Sequence, residues 1–101
     1  MLLLAPTAAH WNDPKAVTRT LRVTHQHGLH LRPCSAIVNI VSRYLANVMI
    51  QKGGQSADAS SILDLLSLAA TQGTELVLTA TGPEAEESLE AVVGLLDSNT
   101  D

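Results

Sequence analysis

The stretch TRTLRVTHQHGLHLRPCSAIVNIV, residues 18–41, changes its hydrophobic period partway along, and this change decides the fold class. Over residues 18–25 apolar and polar side chains alternate and β-branched residues are frequent, which predicts a β-strand. After Gly28 the apolar residues recur every three or four positions, which predicts a helix whose apolar stripe extends to Leu45, with Pro33 in its first turn. The domain is therefore expected to begin with a strand followed directly by a helix.

The remaining sequence predicts three further strands and two further helices. Segments over 47–52 and 55–59 flank the Gly53–Gly54 turn, a pattern typical of a hairpin. Connections this short favour an antiparallel or mixed sheet with helices packed on one face, so the fold class is α+β. The other expected elements are a helix after Ser61 with Ile62, Leu65, Leu66 and Ala69 on its inner face, a strand with Leu76, Leu78 and Ala80 alternating, and a helix that opens at Gly82–Pro83 and buries Leu89, Val92, Val93 and Leu96.

Length and composition limit the number of domains and the classes of partner. A chain of 101 residues has room for one domain, and a hydrophobic fraction of 46% favours a compact core. Six basic and ten acidic residues give a net charge of −4, which provides no general attraction for nucleic acid or for an anionic membrane. The single cysteine, Cys34, excludes an internal disulfide and suits a reducing compartment.

Residues 1–16 are expected to form a loosely ordered leader. Pro6, Asp13 and Pro14 would interrupt a regular element there, and the basic region and long apolar stretch of a secretory signal are missing. No uncharged run approaches the ~18 residues that a membrane-spanning helix needs. We therefore expect a folded domain over residues 17–98 and a cytoplasmic location.

Residues able to carry chemistry gather where the first predicted strand joins the first helix. His30 falls just ahead of that helix, whose first backbone N–H groups lack intrahelical acceptors and lie at the positive end of the helix dipole. Such a terminus binds anions, and Arg32 adds a guanidinium suited to phosphate. An imidazole beside an anion site can accept a phosphoryl group through its neutral nitrogen. Because Pro33 has no N–H, the candidate phosphate-binding amides are those of Leu31, Arg32, Cys34 and Ser35.

The segment 28–33, GLHLRP, resembles the GLHxRP signature of HPr, the histidine-containing phosphocarrier family of the phosphoenolpyruvate-dependent sugar phosphotransferase system. The similarity continues through 54–61 and 68–74 and covers roughly residues 18–97, nearly the whole predicted domain. The resemblance implies an HPr-like open-faced sandwich, in which three helices pack on one face of a four-stranded antiparallel sheet.

The resemblance also implies a phosphoryl carrier rather than an enzyme with independent turnover. His30 would accept the phosphoryl group on Nδ1 from enzyme I, itself charged by phosphoenolpyruvate, and Arg32 would stabilise it. The recipient would be the IIA component of a sugar permease or of a regulatory phosphotransferase branch. No cofactor is expected, and the protein is expected to be a monomer.

The second predicted helix carries candidate regulatory and docking residues. Ser61 matches a serine that a regulatory kinase phosphorylates in some family members, although its spacing to Asp64 also predicts an ordinary helix cap. Ile62 and Leu63 are candidate apolar docking residues for the partners. Since Leu63 falls off the inner face of the helix, it is either an exposed anchor or part of a second core layer.

The chain departs from the family pattern around the expected docking surface. His27 stands where Asn is common, and the absence of basic residues predicts weakened electrostatic docking to a conventional enzyme I. The positions that are often basic in the family correspond here to Asn39, Ser42, Ser60 and Asp64.

Two other functions remain open from the sequence. One is a metal-binding module, because imidazole and thiol groups are ligands for zinc or copper. Its candidate ligands are His25, His27, His30 and Cys34. The other is a regulatory paralogue that binds a partner and never carries phosphate.

Overall fold

The computed structural model describes residues 16–97, and the leader predicted over 1–16 lies outside this range except for Ala16. Four strands form one sheet in the order β1-β4-β2-β3, and every neighbouring pair is antiparallel. Three helices complete an open-faced sandwich, which confirms the predicted fold class. The elements are β1 (Val17–Arg22), α1 (Leu31–Val41), β2 (Asn47–Lys52), β3 (Gln55–Asp58), α2 (Ile62–Ser67), β4 (Glu75–Thr81) and α3 (Ala85–Asp97).

The core lies between one face of the sheet and the helices. Leu76, Leu78 and Ala80 alternate along β4 and are completely buried, as their period predicts. Ile50 of β2 lies opposite Leu78 and Val48 lies opposite Ala80, so these side chains share the same face. The helices contribute completely buried residues to this core: Ile37 from α1, Leu65 from α2, and Leu89, Val92 and Leu96 from α3.

The first helix is shorter than its hydrophobic stripe predicts. It ends at Val41, and Leu45, which was expected on the inner face, is 69% exposed. The reason is a long-range contact at the start of α3. The Leu45 amide donates to Glu84 Oε1 at 2.7 Å, and the Glu84 amide donates to the Leu45 carbonyl at 3.0 Å. These bonds hold the chain in a turn that leads into β2.

The second helix also ends earlier than predicted. Its last residue is Ser67, so Ala69 is exposed with a positive φ of 50°, while Leu68 is buried in its place. The Lys52 ammonium donates to the Leu68 carbonyl at 2.6 Å, which supplies a donor to one of the carbonyls that have no intrahelical donor at the helix end.

Three other predicted boundaries change by one to three residues. β1 ends at Arg22 rather than at residue 25, because beyond it the chain pairs with a loop instead of a strand. The Val23 amide donates to the Thr74 carbonyl at 2.9 Å, and the Gly73 amide donates to the Val23 carbonyl at 2.8 Å. β3 ends at Asp58, one residue early, and α3 begins two residues after Pro83.

Candidate functional site

The turn between β1 and α1 fixes the backbone on which His30 stands. Gly28 has a φ of +71°, and a Cβ at this position would collide with the carbonyl oxygen of Ala70. The Gly28 amide donates to the His25 carbonyl at 3.0 Å, and the Leu29 amide donates to the Ala70 carbonyl at 2.9 Å. Only glycine fits so close to another backbone with a positive φ. The residue before His30 is therefore tied to the chain that follows α2.

Residues 70–74, here called the supporting loop, hold the other side of this turn. In addition to its two bonds with Val23, the loop receives a bond from the Arg22 guanidinium to the Gly73 carbonyl at 3.0 Å. The Gln72 side chain donates to the Thr24 carbonyl at 3.3 Å. Reasoning on separate elements missed this role, although the whole loop belongs to the stretch 68–74 on which the family resemblance rests.

His30 is the N-cap residue of α1, as its place ahead of the helix predicts. Its backbone is extended, with φ −98° and ψ −168°, and its side chain does not cap the helix. Its Nε2 atom is enclosed, with an exposed area below 1 Å², and has no hydrogen-bond partner among the described residues. The side chain as a whole is partly exposed. The enclosure of Nε2 leaves Nδ1 as the candidate reactive nitrogen of the ring.

The helix N-terminus offers fewer donors than the four predicted. The Cys34 amide donates to the His30 carbonyl at 3.1 Å, which is the first helical bond. The next bond of a regular helix engages the Ser35 amide with the Leu31 carbonyl. The amides of Leu31 and Arg32 remain, because residues in the first turn have no intrahelical acceptor. Two backbone donors, rather than four, are therefore available to an anion.

An open pocket lies at this terminus. The Arg32 side chain is exposed. The ion pairs found within residues 16–97 join Arg19 to Glu86 and Glu90, and none of them involves Arg32. Its guanidinium is therefore available for an anion beside the His30 ring. The pocket is lined by His27, His30, Leu31, Arg32, Ser35, Ala36 and Asn39.

Cys34 belongs to the core beneath the pocket. Its side chain is completely buried, and desolvation by burial raises the pKa of its thiol to about 11. The thiol therefore stays protonated near neutral pH, which makes it a poor nucleophile and a poor metal ligand.

The structure does not bring the predicted metal ligands together. In the described part of the chain, which includes His25, His27, His30 and Cys34, no group of three His, Cys, Asp or Glu residues is placed to hold a metal ion. His25 and Cys34 are buried, whereas His27 is exposed. The metal-binding alternative was wrong because short spacing along a turn does not make side chains converge.

The predicted docking residues lie on α2, which packs against α1. Leu63 is 79% exposed, so it is not part of a second core layer, whereas Ile62 is half-buried. Leu31 of α1 is 61% exposed, and α1 packs against α2. Sequence reasoning used only the amide of Leu31, although its position off the apolar stripe of α1 indicates an exposed side chain.

Ser61 is the N-cap residue of α2. Its hydroxyl accepts a hydrogen bond from the Asp64 amide at 3.2 Å, as the spacing of the two residues predicts. The Asp64 carboxylate accepts from the Asp58 amide at 3.3 Å instead of returning to Ser61. The capping box is therefore half formed.

Comparisons with known proteins identify the family. The model for the PTS HPr component phosphorylation site matches residues 17–98. The chain is similar to the phosphocarrier protein NPr of Escherichia coli (strain K12), with 34% identity over 86 residues that cover 84% of this chain and 96% of the relative. It is 36% identical over 74 residues to the HPr-like protein Crh of Bacillus subtilis (strain 168), covering 73% of this chain and 87% of the relative. The crystal structure of a phosphocarrier protein HPr from Bacillus anthracis matches with a TM-score of 0.77 at 33% identity, over 81% of this chain and 98% of that one.

The open-faced sandwich, the histidine at a helix N-terminus and these matches define a small phosphocarrier of the α+β class. The chain belongs to the HPr family of the phosphotransferase system. Proteins of this family work with enzyme I and IIA components and are not themselves enzymes. None of the helices in residues 16–97 is long and apolar enough to cross a membrane.

Proposed function

We propose that His30 of this protein receives a phosphoryl group on Nδ1 from phosphorylated enzyme I and donates it to a IIA-type acceptor. The observation that carries the proposal is the placement of His30 as the N-cap of α1, with Nε2 enclosed and the ring at an open pocket. A neutral imidazole with its proton on Nε2 presents a lone pair on Nδ1. That lone pair is the nucleophile that the transfer requires.

The transfer exchanges one phosphorus–nitrogen bond for another. Nδ1 of His30 attacks the phosphorus of the donor phosphohistidine, and the electron pair of the broken bond returns to the donor nitrogen. Catalysis of such a step is mainly positioning and charge stabilisation. The amides of Leu31 and Arg32 and the Arg32 guanidinium supply the positive groups for the phosphoryl oxygens. Donation to the IIA-type acceptor repeats the exchange in the opposite direction.

Apolar contact supports recognition of both partners at the same face. The exposed side chains of Leu31 and Leu63 lie on α1, which lines the pocket, and on α2, which packs against α1. The surrounding positions Asn39, Ser42 and Ser60 are exposed and uncharged, and Asp64 is acidic. Since none of these four positions carries a basic side chain, docking relies less on electrostatic steering, and association is expected to depend only weakly on salt.

Phosphorylation of Ser61 by a regulatory kinase is a second proposal. The capping bond from the Asp64 amide supports a structural role of Ser61 more strongly than this regulatory role. A phosphate at a helix N-terminus is favoured by the dipole, but the neighbouring carboxylates of Asp58 and Asp64 oppose it. The similarity to Crh, described as the catabolite repression HPr of Bacillus subtilis, supports a regulatory branch as a destination beside sugar uptake.

The test separates carrier chemistry from partner recognition. Incubation with enzyme I and phosphoenolpyruvate is expected to add an acid-labile, base-stable phosphate that is absent from His30→Ala. A parallel incubation with phosphoramidate, a small donor that needs no docking surface, is expected to label His30 as well. Label that persists in His30→Ala in both reactions would contradict the proposal. The His27→Asn variant controls for loss of a neighbouring imidazole.

A further inference from the structure

A second imidazole stands beside His30 at the rim of the same pocket. The ring centroids of His27 and His30 are 5.9 Å apart, and the ring planes meet at 81°, an edge-to-face arrangement. His27 is exposed, and it lines the pocket together with Arg32. The pocket is therefore lined by the permanently charged Arg32 on α1, by the titratable His27 on the turn, and by the His30 ring.

We propose that protonated His27 binds the phosphoryl group carried by His30, so that the transfer equilibrium shifts towards the phosphorylated carrier as the His27 ring becomes protonated at lower pH. The inference rests on the proposed role of His30 as the phosphoryl acceptor. His27 would contact the oxygens of the group and would take no part in bond formation at phosphorus. Its contribution is a charge-assisted hydrogen bond that exists only when the imidazole carries its second proton.

The elements described around His27, which are the start of α1 and the supporting loop, place no acidic side chain in the pocket. On α1 the ionisable residues lining the pocket are Arg32 and His30 itself, and the Cys34 thiol beneath them is neutral. The supporting loop, which packs against the turn, consists of Ala70, Thr71, Gln72, Gly73 and Thr74 and carries no ionisable side chain. After phosphorylation the added dianion favours protonation of His27.

Linkage gives the sign and the size of the effect. If the protonated imidazole stabilises the phosphoryl group, phosphorylation must bind the His27 proton more tightly by the same factor. The gain is therefore present at low pH and is lost as the pH rises beyond the range in which histidine ordinarily titrates. The attraction between a dianion and a unit charge at a solvent-exposed contact changes an equilibrium roughly tenfold.

A competition between two carriers measures this factor directly. Equal amounts of the wild-type protein and His27→Asn are mixed with a trace of enzyme I and limiting phosphoenolpyruvate, so that the phosphoryl group equilibrates between them. The reaction is stopped in alkali, and intact-mass spectrometry gives the phosphorylated fraction of each protein. Because both carriers exchange with the same donor, the effects of pH on the donor cancel in the ratio of the two phosphorylated fractions.

The expected ratio of phosphorylated wild type to phosphorylated His27→Asn changes with pH. It is close to one at about pH 8.5, roughly threefold at about pH 7, and between fivefold and tenfold at about pH 6. A matched variant, Gln26→Asn, alters the exposed neighbour in the same turn and is expected to keep a ratio of one throughout. A purely structural role of His27 would change the ratio equally at all pH values.

Two results would overturn the inference, and they are distinguishable. A ratio that stays flat across pH, with both carriers labelled on His30, removes the role of His27 and leaves the proposed function intact. Absence of label from the wild-type protein, or label retained in His30→Ala, removes the proposed function and the inference with it.

Discussion

The backbone amide of Leu29 donates to the carbonyl oxygen of Ala70 across 2.9 Å, and this bond joins the residue before His30 to the chain that follows α2. The same carbonyl oxygen lies where a Cβ of residue 28 would be. The position of the His30 imidazole, the proposed phosphoryl acceptor, thus depends on a loop that begins 40 residues further along the chain. Changes in that contact should affect transfer without touching the pocket.

The close approach at Gly28 predicts a large effect of Gly28→Ala. The added methyl group meets the Ala70 carbonyl, and the residue must keep a φ of +71°. We expect the free energy of unfolding to fall by about 2–4 kcal/mol, with slower transfer from enzyme I. Gly53→Ala is the matched control, since Gly53 has a φ of +57° but open space around it. It should cost only about 1 kcal/mol in urea unfolding. Equal costs for the two variants would show that the Ala70 contact is unimportant.

The exposed guanidinium of Arg32 predicts a kinetic effect without a stability effect. Arg32→Ala should slow phosphoryl transfer roughly 10–100-fold, because one charge-assisted contact to the phosphoryl oxygens is lost. Its melting temperature should stay within about 2 °C of the wild-type value, since the side chain is exposed. Arg43→Ala, at an exposed position beyond the other end of α1, is the control and should transfer normally. Normal transfer by Arg32→Ala in rapid-quench experiments would refute this role.

The proposed docking surface, which consists of Leu31 and Leu63, predicts that a substitution there changes the rate of phosphorylation by a protein donor but not by a small-molecule donor. Leu63→Ser should slow phosphorylation by enzyme I at least roughly tenfold, because an exposed anchor is removed. Phosphorylation by phosphoramidate should be unchanged. Leu45→Ser offers a matched control, since Leu45 is 69% exposed compared with 79% for Leu63 but lies in the turn between α1 and β2. If the two variants behave alike with enzyme I, Leu63 is not a docking residue.

The capping bond of Ser61 predicts a loss of stability without a loss of transfer. Ser61→Ala removes the acceptor of the Asp64 amide and should lower the free energy of unfolding by about 1 kcal/mol. Its rate of phosphorylation on His30 should equal that of the wild type. Ser56→Ala, at an exposed position in β3, is the comparison for chemical denaturation and should cost less. If Ser61→Ala unfolds at the same urea concentration as the wild type, the capping bond does not stabilise α2.

Local hydrophobic periods were enough to predict the order of the elements, since alternate residues of β4 and one stripe of α3 are buried in the structure. The ends of elements were not predictable in the same way. Leu45 continues the helical period of α1, but its amide is held by Glu84, 39 residues further along. A bond of this range leaves no local signal in either segment.

In the candidate site, too, some features followed from the local sequence and others did not. His30 and Arg32 could be singled out because both lie at one helix N-terminus and are close in sequence. The engaged amide of Cys34 and the ring contact of His27 with His30 depend on where the first helical bond forms and on side-chain rotamers. Neither follows from residue spacing. The metal hypothesis failed for the same reason, since it inferred convergence from nearness along the chain.

The most direct test of the central claim is to locate the phosphoryl group on the phosphorylated protein by long-range ¹H–¹⁵N NMR of its histidine rings. Because Nε2 of His30 is enclosed, the phosphoryl group is expected on Nδ1 of His30, with the other histidine rings unmodified. Phosphate bound to Nε2 of His30, or to a different histidine, would contradict the account.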